Sequence, residues 1–370
     1  MSSGTILFRV DVDQRIGIGH ARRCRTLAKR FRMQGMEIVF VTRGLDLESM
    51  VPWDFGGAVY RISDSPASGG RDEPPDEEFD AKATIEIAHG LAERPEWVVV
   101  DSYELGKTWE SIVRRAQHKV LCFDDMRTAQ HSADIVVSDS GFPFAPTTYA
   151  EPPEPTVLNG PEFALIDPDF ETEYRAMRRE QRTRVLVTYG GSDPTCETLK
   201  ALRVLRAYFH KSNKLPCVEG VDVIIGPGNP HRASILEWCR GEAWASPHLS
   251  LPTLAPLMRT ARMVMCAGGN SMVEAIAMRI PSVVTIVAEN QRKLALYLSG
   301  RDLAHLLGVT APTTEEAIEG GIDFVFTNYV QIEKSLRDTN PFDFLGASRI
   351  ASQVMKRLGN DGVGRTEVIL

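Results

Sequence analysis

The sequence predicts an α/β protein made of two doubly wound domains that face each other across a cleft. Three observations carry that expectation. Short apolar runs such as Trp97 to Asp101 and Val185 to Tyr189 are continuous rather than alternating, as strands buried on both faces of a parallel sheet must be. Helix-like runs separate them, and parallel strands need such crossovers. The same alternation starts again in the second half of the 370 residues, a length sufficient for two ordinary domains.

In the first half, residues 6–12, 37–42, 97–101, 119–123 and 135–137 read as buried strands, and 21–34, 80–93 and 106–117 as helices. Asp11, Asp101, Asp124 and Asp125 stand at strand ends, where open α/β sheets bind ligands. The stretch 63–80, rich in Pro, Gly and acid, reads as a surface loop, and the proline-rich stretch 142–159 as an irregular connection. In the second half, strands are expected at 185–189, 221–225, 263–266 and 282–287. Helices are expected at 195–210, 231–240, 252–260, 271–279, 289–299 and 314–326. A last helix near 343–357 carries Phe344, Ile350 and Val354 at helical spacing. The domains are accordingly placed at 1–172 and 173–340, with 341–370 a terminal helix and tail.

Hydrophobic content of 43% and charged content of 25% are those of a soluble globular chain, and no run of 18 apolar residues offers a membrane span. Residues 1–4 lead straight into a strand without the features of a signal peptide, so a cytoplasmic location is expected. A net charge of −7 gives no support for a nucleic-acid partner. The basic cluster Arg22, Arg23, Arg25, Lys29 and Arg30 reads as a solvated helix face. The six cysteines show no C-x-x-C spacing, which argues against a zinc ribbon or a thioredoxin-like motif, and they read as reduced core residues. No metal and no cofactor are expected.

Four segments carry chemistry, each where a strand gives way to a helix. In Ile16-Gly17-Ile18-Gly19-His20 the glycines let backbone approach a ligand, the helix start attracts anions, and an imidazole there is placed to move protons. Arg22 replaces the third glycine of the dinucleotide fingerprint, which speaks against that cofactor. Cys24, one turn on, is weighed as a nucleophile and set aside, because the apolar face of that helix needs small residues. Tyr189-Gly190-Gly191-Ser192-Asp193-Pro194 suits a diphosphate. In Cys266 to Ala275, backbone N–H groups at 269–271 suit a phosphate, and Glu274 either accepts from ribose hydroxyls or closes a capping box with Ser271. In Glu289-Asn290-Gln291, the two amides either meet sugar hydroxyl and acetamido groups or cap a helix.

Taken in order, FRVDVDQRIGIGHARRCRTLA at 8–28, VVVDSY at 98–103, CFDD at 122–125, GPEFALIDPDF at 160–170, TYGGSDP at 188–194, AGGNSMVEA at 267–275 and IPSVVTIVAENQRKLALYL at 280–298 resemble the nucleotide-sugar hydrolases of pseudaminic acid biosynthesis, which are similar to transferases of the glycosyltransferase-B fold. The resemblance implies that fold, a UDP-sugar substrate, water as second reactant and metal-independent hydrolysis at the anomeric carbon with inversion. It implies His20 and Asn290 as catalytic residues. Gly19, Gly190, Gly191, Ser192, Gly269, Asn270, Ser271 and Glu274 would hold the nucleotide, and Asp11, Tyr103 and Gln291 the sugar. An inverting transferase with the same donor is the alternative, and a non-catalytic nucleotide-sugar binder a third reading. The chain departs from the family in Ser102, where Asp-His-Tyr is common, in Val273 for a tryptophan, and in Asp167 for a basic residue.

Overall fold

The computed structural model describes residues 4–12, 18–43, 57–63, 74–124, 130–138, 154–178, 182–210, 215–249, 251–308 and 313–360. Gly17, Asp125, most of the acidic stretch and most of the proline-rich stretch lie outside them. The chain forms two compact units, Met1–Leu165 with Leu345–Leu370, and Ile166–Phe344.

Among the described residues the first unit has a seven-stranded parallel sheet. Its strands are β1 (Thr5–Val10), β2 (Glu37–Thr42), β3 (Ala58–Arg61), β4 (Trp97–Asp101), β5 (Lys119–Phe123), β6 (Ile135–Ser138) and β7 (Thr156–Asn159), in the order β3-β2-β1-β4-β5-β6-β7. Helices α1 (Gly19–Met33), α2 (Glu77–Gly90) and α3 (Lys107–Arg115) cover it, with the C-terminal helix Gly346–Asn360. The pleat sorts the side chains into two cores. Ile6, Phe8 and Val10 pack with Leu27 and Phe31 of α1 and with Ile350 and Val354 of the C-terminal helix. Leu7, Val98, Val100 and Cys122 pack on the opposite face with Ala81 of α2 and Trp109 and Val113 of α3.

Among the described residues the second unit has a six-stranded parallel sheet of β8 (Arg184–Thr188), β9 (Gly220–Ile225), β10 (Ala245–Leu249), β11 (Ala261–Ala267), β12 (Ser282–Thr285) and β13 (His305–Leu306). Their order is β10-β9-β8-β11-β12-β13. Its helices are α4 (Pro168–Ala176), α5 (Glu197–His210), α6 (Arg232–Arg240), α7 (Ala255–Thr260), α8 (Asn270–Ala277), α9 (Glu289–Ser299), α10 (Glu315–Thr327) and α11 (Tyr329–Asp338).

Two boundaries differ from those expected. The units divide after Leu165 rather than after residue 172, because Asp167 and Pro168 start α4. The Asp167 side chain accepts from the Asp169 N–H at 3.1 Å, and Glu173 of that helix pairs with Arg259 of α7 at 3.1 Å. The departure from the family at Asp167 is thus a helix N-cap. The chain end is not a separate closing element either. Its helix belongs to the first unit, where Ile350, Ala351 and Val354 are fully buried. Among the described residues no helix is long and apolar enough to cross a membrane.

In each sheet the first strand of the unit has its next neighbours on opposite sides. β1 lies between β2 and β4, and β8 between β9 and β11. Loops leaving neighbouring strands in opposite directions open a crevice at such a switch point, which is where doubly wound sheets bind ligands.

Candidate functional site

At the switch point of the first sheet, α1 begins with Gly19 and His20, and β4 ends in Asp101. His20 is buried, and its Nδ1 lies 2.6 Å from Asp101 Oδ1. An ionised carboxylate only accepts, so Nδ1 carries the proton and Nε2 is the basic nitrogen of the neutral ring. The Tyr103 ring meets the imidazole edge-on at 4.6 Å between centroids, and Tyr103 is half exposed.

Arg23, one helical turn after His20, grips the same carboxylate. Its Nε donates to Oδ2 at 2.8 Å and its NH2 nitrogen to Oδ1 at 2.6 Å, while its guanidinium lies over the Phe123 ring at 4.5 Å. Burial pushes the Asp101 carboxyl up, but Arg23 and His20 outweigh it and hold Asp101 well below the ordinary aspartate range. Burial and Asp101 push the Cys24 thiol well up, with Sγ 3.8 Å from Asp101. Cys24 therefore stays protonated, which removes the nucleophile weighed from the sequence.

Asp11 has a different setting from the one expected of a sugar ligand. It accepts from both terminal nitrogens of the buried Arg9, at 2.6 and 2.9 Å, and from the Arg43 N–H at 2.7 Å. Arg9 also binds Asp80 of α2, and Asp80 accepts from the Trp109 indole at 2.8 Å. This buried ion cluster ties β1 to α2 and α3, and Asp11 serves as one of its anchors.

In the second unit, β8, β11 and β12 are neighbours, and each is followed by one of the expected loops. After β8, Gly190 takes a left-handed φ of +82°, and Gly190 and Ser192 are exposed with Gly191 half-exposed. The buried Asp193 caps α5, accepting from the Glu197 and Thr198 N–H groups at 2.8 and 3.0 Å. The donors of that helix are thereby used internally. The loop after β9 packs on this turn so closely that a side chain at Gly226 would meet the Gly190 and Gly191 backbone.

After β11 the arrangement is the opposite. Gly269 is the N-cap of α8, and among the described residues no side-chain cap hydrogen bond is made there. Asn270 is exposed and Ser271 half-exposed at its first turn, where N–H groups and the helix dipole favour an anion. With Gly269 as the cap, Ser271 and Glu274 each fall two residues too late for a capping box, so Glu274 is not explained as a cap. After β12, Gln291 accepts from the Val287 N–H at 3.1 Å and closes its own loop, while Asn290 is exposed at the start of α9. Gly268 lets α9 pack close, since a Cβ there would lie 3.2 Å from Ala295 and 3.4 Å from Gln291.

The structure thus brings His20 and Tyr103 together in one unit, and the glycine loops with Glu274, Asn290 and Gln291 in the other. Sequence reasoning missed the roles of Asp101, Arg23 and Gly226. Arg23 was readable from its i,i+3 spacing to His20, and Asp101 from its strand-end position.

No family model matches the chain. It is 22% identical over 75% of its length to an uncharacterized protein of Methanocaldococcus jannaschii, and 23% identical over 47% to the spore coat polysaccharide biosynthesis protein SpsG of Bacillus subtilis. The matches span about half the length of those two relatives, 54% and 50%. It is 21% identical over 80% of its length, and 96% of the relative's, to the UDP-2,4-diacetamido-2,4,6-trideoxy-beta-L-altropyranose hydrolase of Campylobacter jejuni. Among solved structures, MurG of Acinetobacter baumannii has a TM-score of 0.61 at 14% identity, covering 96% of this chain and all of MurG. A calicheamicin glycosyltransferase has a TM-score of 0.61 at 16% identity, covering 97% and 99%. The fold is therefore that of the glycosyltransferase-B class, two parallel-sheet α/β domains, as the sequence implied.

Proposed function

We propose that this chain is a nucleotide-sugar hydrolase. It transfers the glycosyl group of a UDP-linked 2,4-diacetamido-2,4,6-trideoxy sugar to water with inversion, in nonulosonic (pseudaminic) acid biosynthesis for flagellin or surface glycans. The observation that carries the reading is the His20–Asp101 pair at the switch point of the first sheet. His20 Nε2 takes a proton from water as the water oxygen bonds to the anomeric carbon. The bond from that carbon to the diphosphate oxygen breaks, and its electron pair leaves with UDP. Asp101 holds the tautomer and supports the imidazolium that forms. UDP is already a good leaving group, so a positioned water and a base supply the remaining catalysis.

The second unit provides the nucleotide grip. The uncapped start of α8 takes a phosphate through the 269–271 backbone, Gly190 to Ser192 bound the diphosphate, and Glu274 accepts from ribose hydroxyls. Tyr103, Asn290 and Gln291 are assigned to the sugar and water. The named Campylobacter relative supports this substrate class. The transferase neighbours keep one alternative in play, the same donor chemistry with an acceptor hydroxyl in place of water.

Incubation of the purified chain with the UDP-diacetamido sugar, without acceptor, decides between them. UDP release followed by NMR should be rapid, and His20→Ala should slow it at least about tenfold, the low side of what one positioned base supplies. Release only on addition of a hydroxyl acceptor moves the assignment to a transferase, and binding without turnover removes the catalytic reading. Glu274→Ala should weaken UDP binding measured by calorimetry, and unchanged affinity would withdraw the ribose role.

A further inference from the structure

A second cluster of titratable side chains lies in the first unit, on the face of its sheet opposite to His20. Along β5, Leu121 and Phe123 point toward α1, while Val120 and Cys122 point toward α3. α3 brings the fully buried Glu110, and the segment ahead of β6 brings His131. The His131 Nδ1 lies 2.7 Å from Glu110 Oε1 and 3.4 Å from Cys122 Sγ. Its Nε2 lies 3.0 Å from Asp124 Oδ2, and the other Glu110 oxygen accepts the Ser132 N–H. Ligand atoms of Glu110, Cys122 and His131 all fall within 4.8 Å of one another.

We propose that Glu110, Cys122 and His131 form a zinc-binding site, with water in the fourth position. The donor set of one sulfur, one nitrogen and one oxygen suits zinc. Bonds of about 2.0 Å to N and O and about 2.3 Å to S give tetrahedral edges of about 3.3 Å for N–O and about 3.5 Å for N–S. The Nδ1–Sγ distance of 3.4 Å already matches, and the 2.7 Å between Nδ1 and Oε1 has to open by about 0.6 Å. The surroundings are those of a metal ligand shell. Asp124 accepts from Nε2–H and so leaves Nδ1 for the cation, while the Ser132 N–H orients Glu110. One thiolate and one carboxylate cancel a divalent charge with the imidazole neutral, which a buried site favours. Binding displaces the Nδ1 proton and the thiol proton to solvent, with no change of oxidation state. Without a metal, the ring keeps both protons and bridges Glu110 to Asp124 as an ion pair. The C-x-x-C spacing that marks zinc ribbons is absent because these ligands come from a helix, a strand and a loop. The site is independent of the proposed hydrolysis.

Cobalt titration of the chelator-treated full-length chain tests it. One Co(II) per chain is expected, with strong visible absorption of a four-coordinate ion and a near-ultraviolet thiolate-to-cobalt band, both reversed by zinc. Cys122→Ser should abolish the thiolate band and weaken binding at least tenfold. Asp124→Asn should weaken it about 10–100-fold. A thiolate band that survives Cys122→Ser assigns the ion to another cysteine and overturns the proposal. X-ray absorption of the zinc-loaded wild-type chain gives an answer that needs no variant. One sulfur at about 2.3 Å supports the site, and a shell without sulfur overturns it.

Discussion

Asp101 is where stability and the proposed chemistry meet at the scale of single residues. Two cationic or proton-donating side chains of one helix converge on a carboxylate at the end of another element, 81 residues away from His20 in the chain. Removing the charge leaves Arg23, with 12% of its side chain exposed, facing a neutral amide. Breaking a pair of that burial typically costs about 3–5 kcal/mol. Asp101→Asn should therefore lower the denaturation midpoint in urea. It should also lower turnover about as far as His20→Ala, since an amide offers Nδ1 a donor and unsettles the tautomer. The pH dependence has a definite sign. The folded carboxyl sits below its unfolded value, so its contribution is full above about pH 4 and is lost as pH falls through the folded value. The stability gap between wild type and Asp101→Asn should narrow on acidification. A gap that is constant with pH would contradict the ion pairing.

Among elements, what distinguishes the loops of the second unit is how each helix start is satisfied. α5 has its first donors taken by Asp193, whereas α8 has a glycine cap with no side-chain cap hydrogen bond among the described residues. Two similar glycine motifs thus differ in kind, one a closely packed wall and the other the helix start to which the proposed function assigns a phosphate. The wall depends on Gly226, where an added Cβ would collide with the backbone of Gly190 and Gly191 rather than with a movable side chain. Gly226→Ala should cost about 1–3 kcal/mol, as overpacking does, and should weaken UDP binding measured by calorimetry. Retained UDP affinity would show that the turn after β8 is not part of the grip.

Across the whole molecule, the chain end returns to the unit in which it began. The C-terminal helix fills a core with α1 and β1, and Ile350 there is fully buried. Ile350→Ala should destabilise the first unit by about 2–5 kcal/mol, seen in thermal unfolding, while UDP affinity, assigned to the second unit, stays unchanged. A parallel loss of UDP affinity would mean that the two units do not hold their functions separately. The strands show what a sequence records. Every interior strand among the described residues was legible, because burial on both faces writes a continuous apolar run. The edge strands β3, β7, β10 and β13 were not. β3 reads Ala-Val-Tyr-Arg with three of its four residues exposed, and β10 holds a proline and a histidine. The sequence by itself determined the fold class, the strand-to-helix turns and the imidazole at the start of α1. Only the tertiary structure decided that Asp101 and Arg23 orient that imidazole, that Asp11 is held by Arg9, and that the last helix closes the first core. A local pattern reports how much of a segment is buried, whereas the partner of a buried charge is fixed by which strands lie side by side.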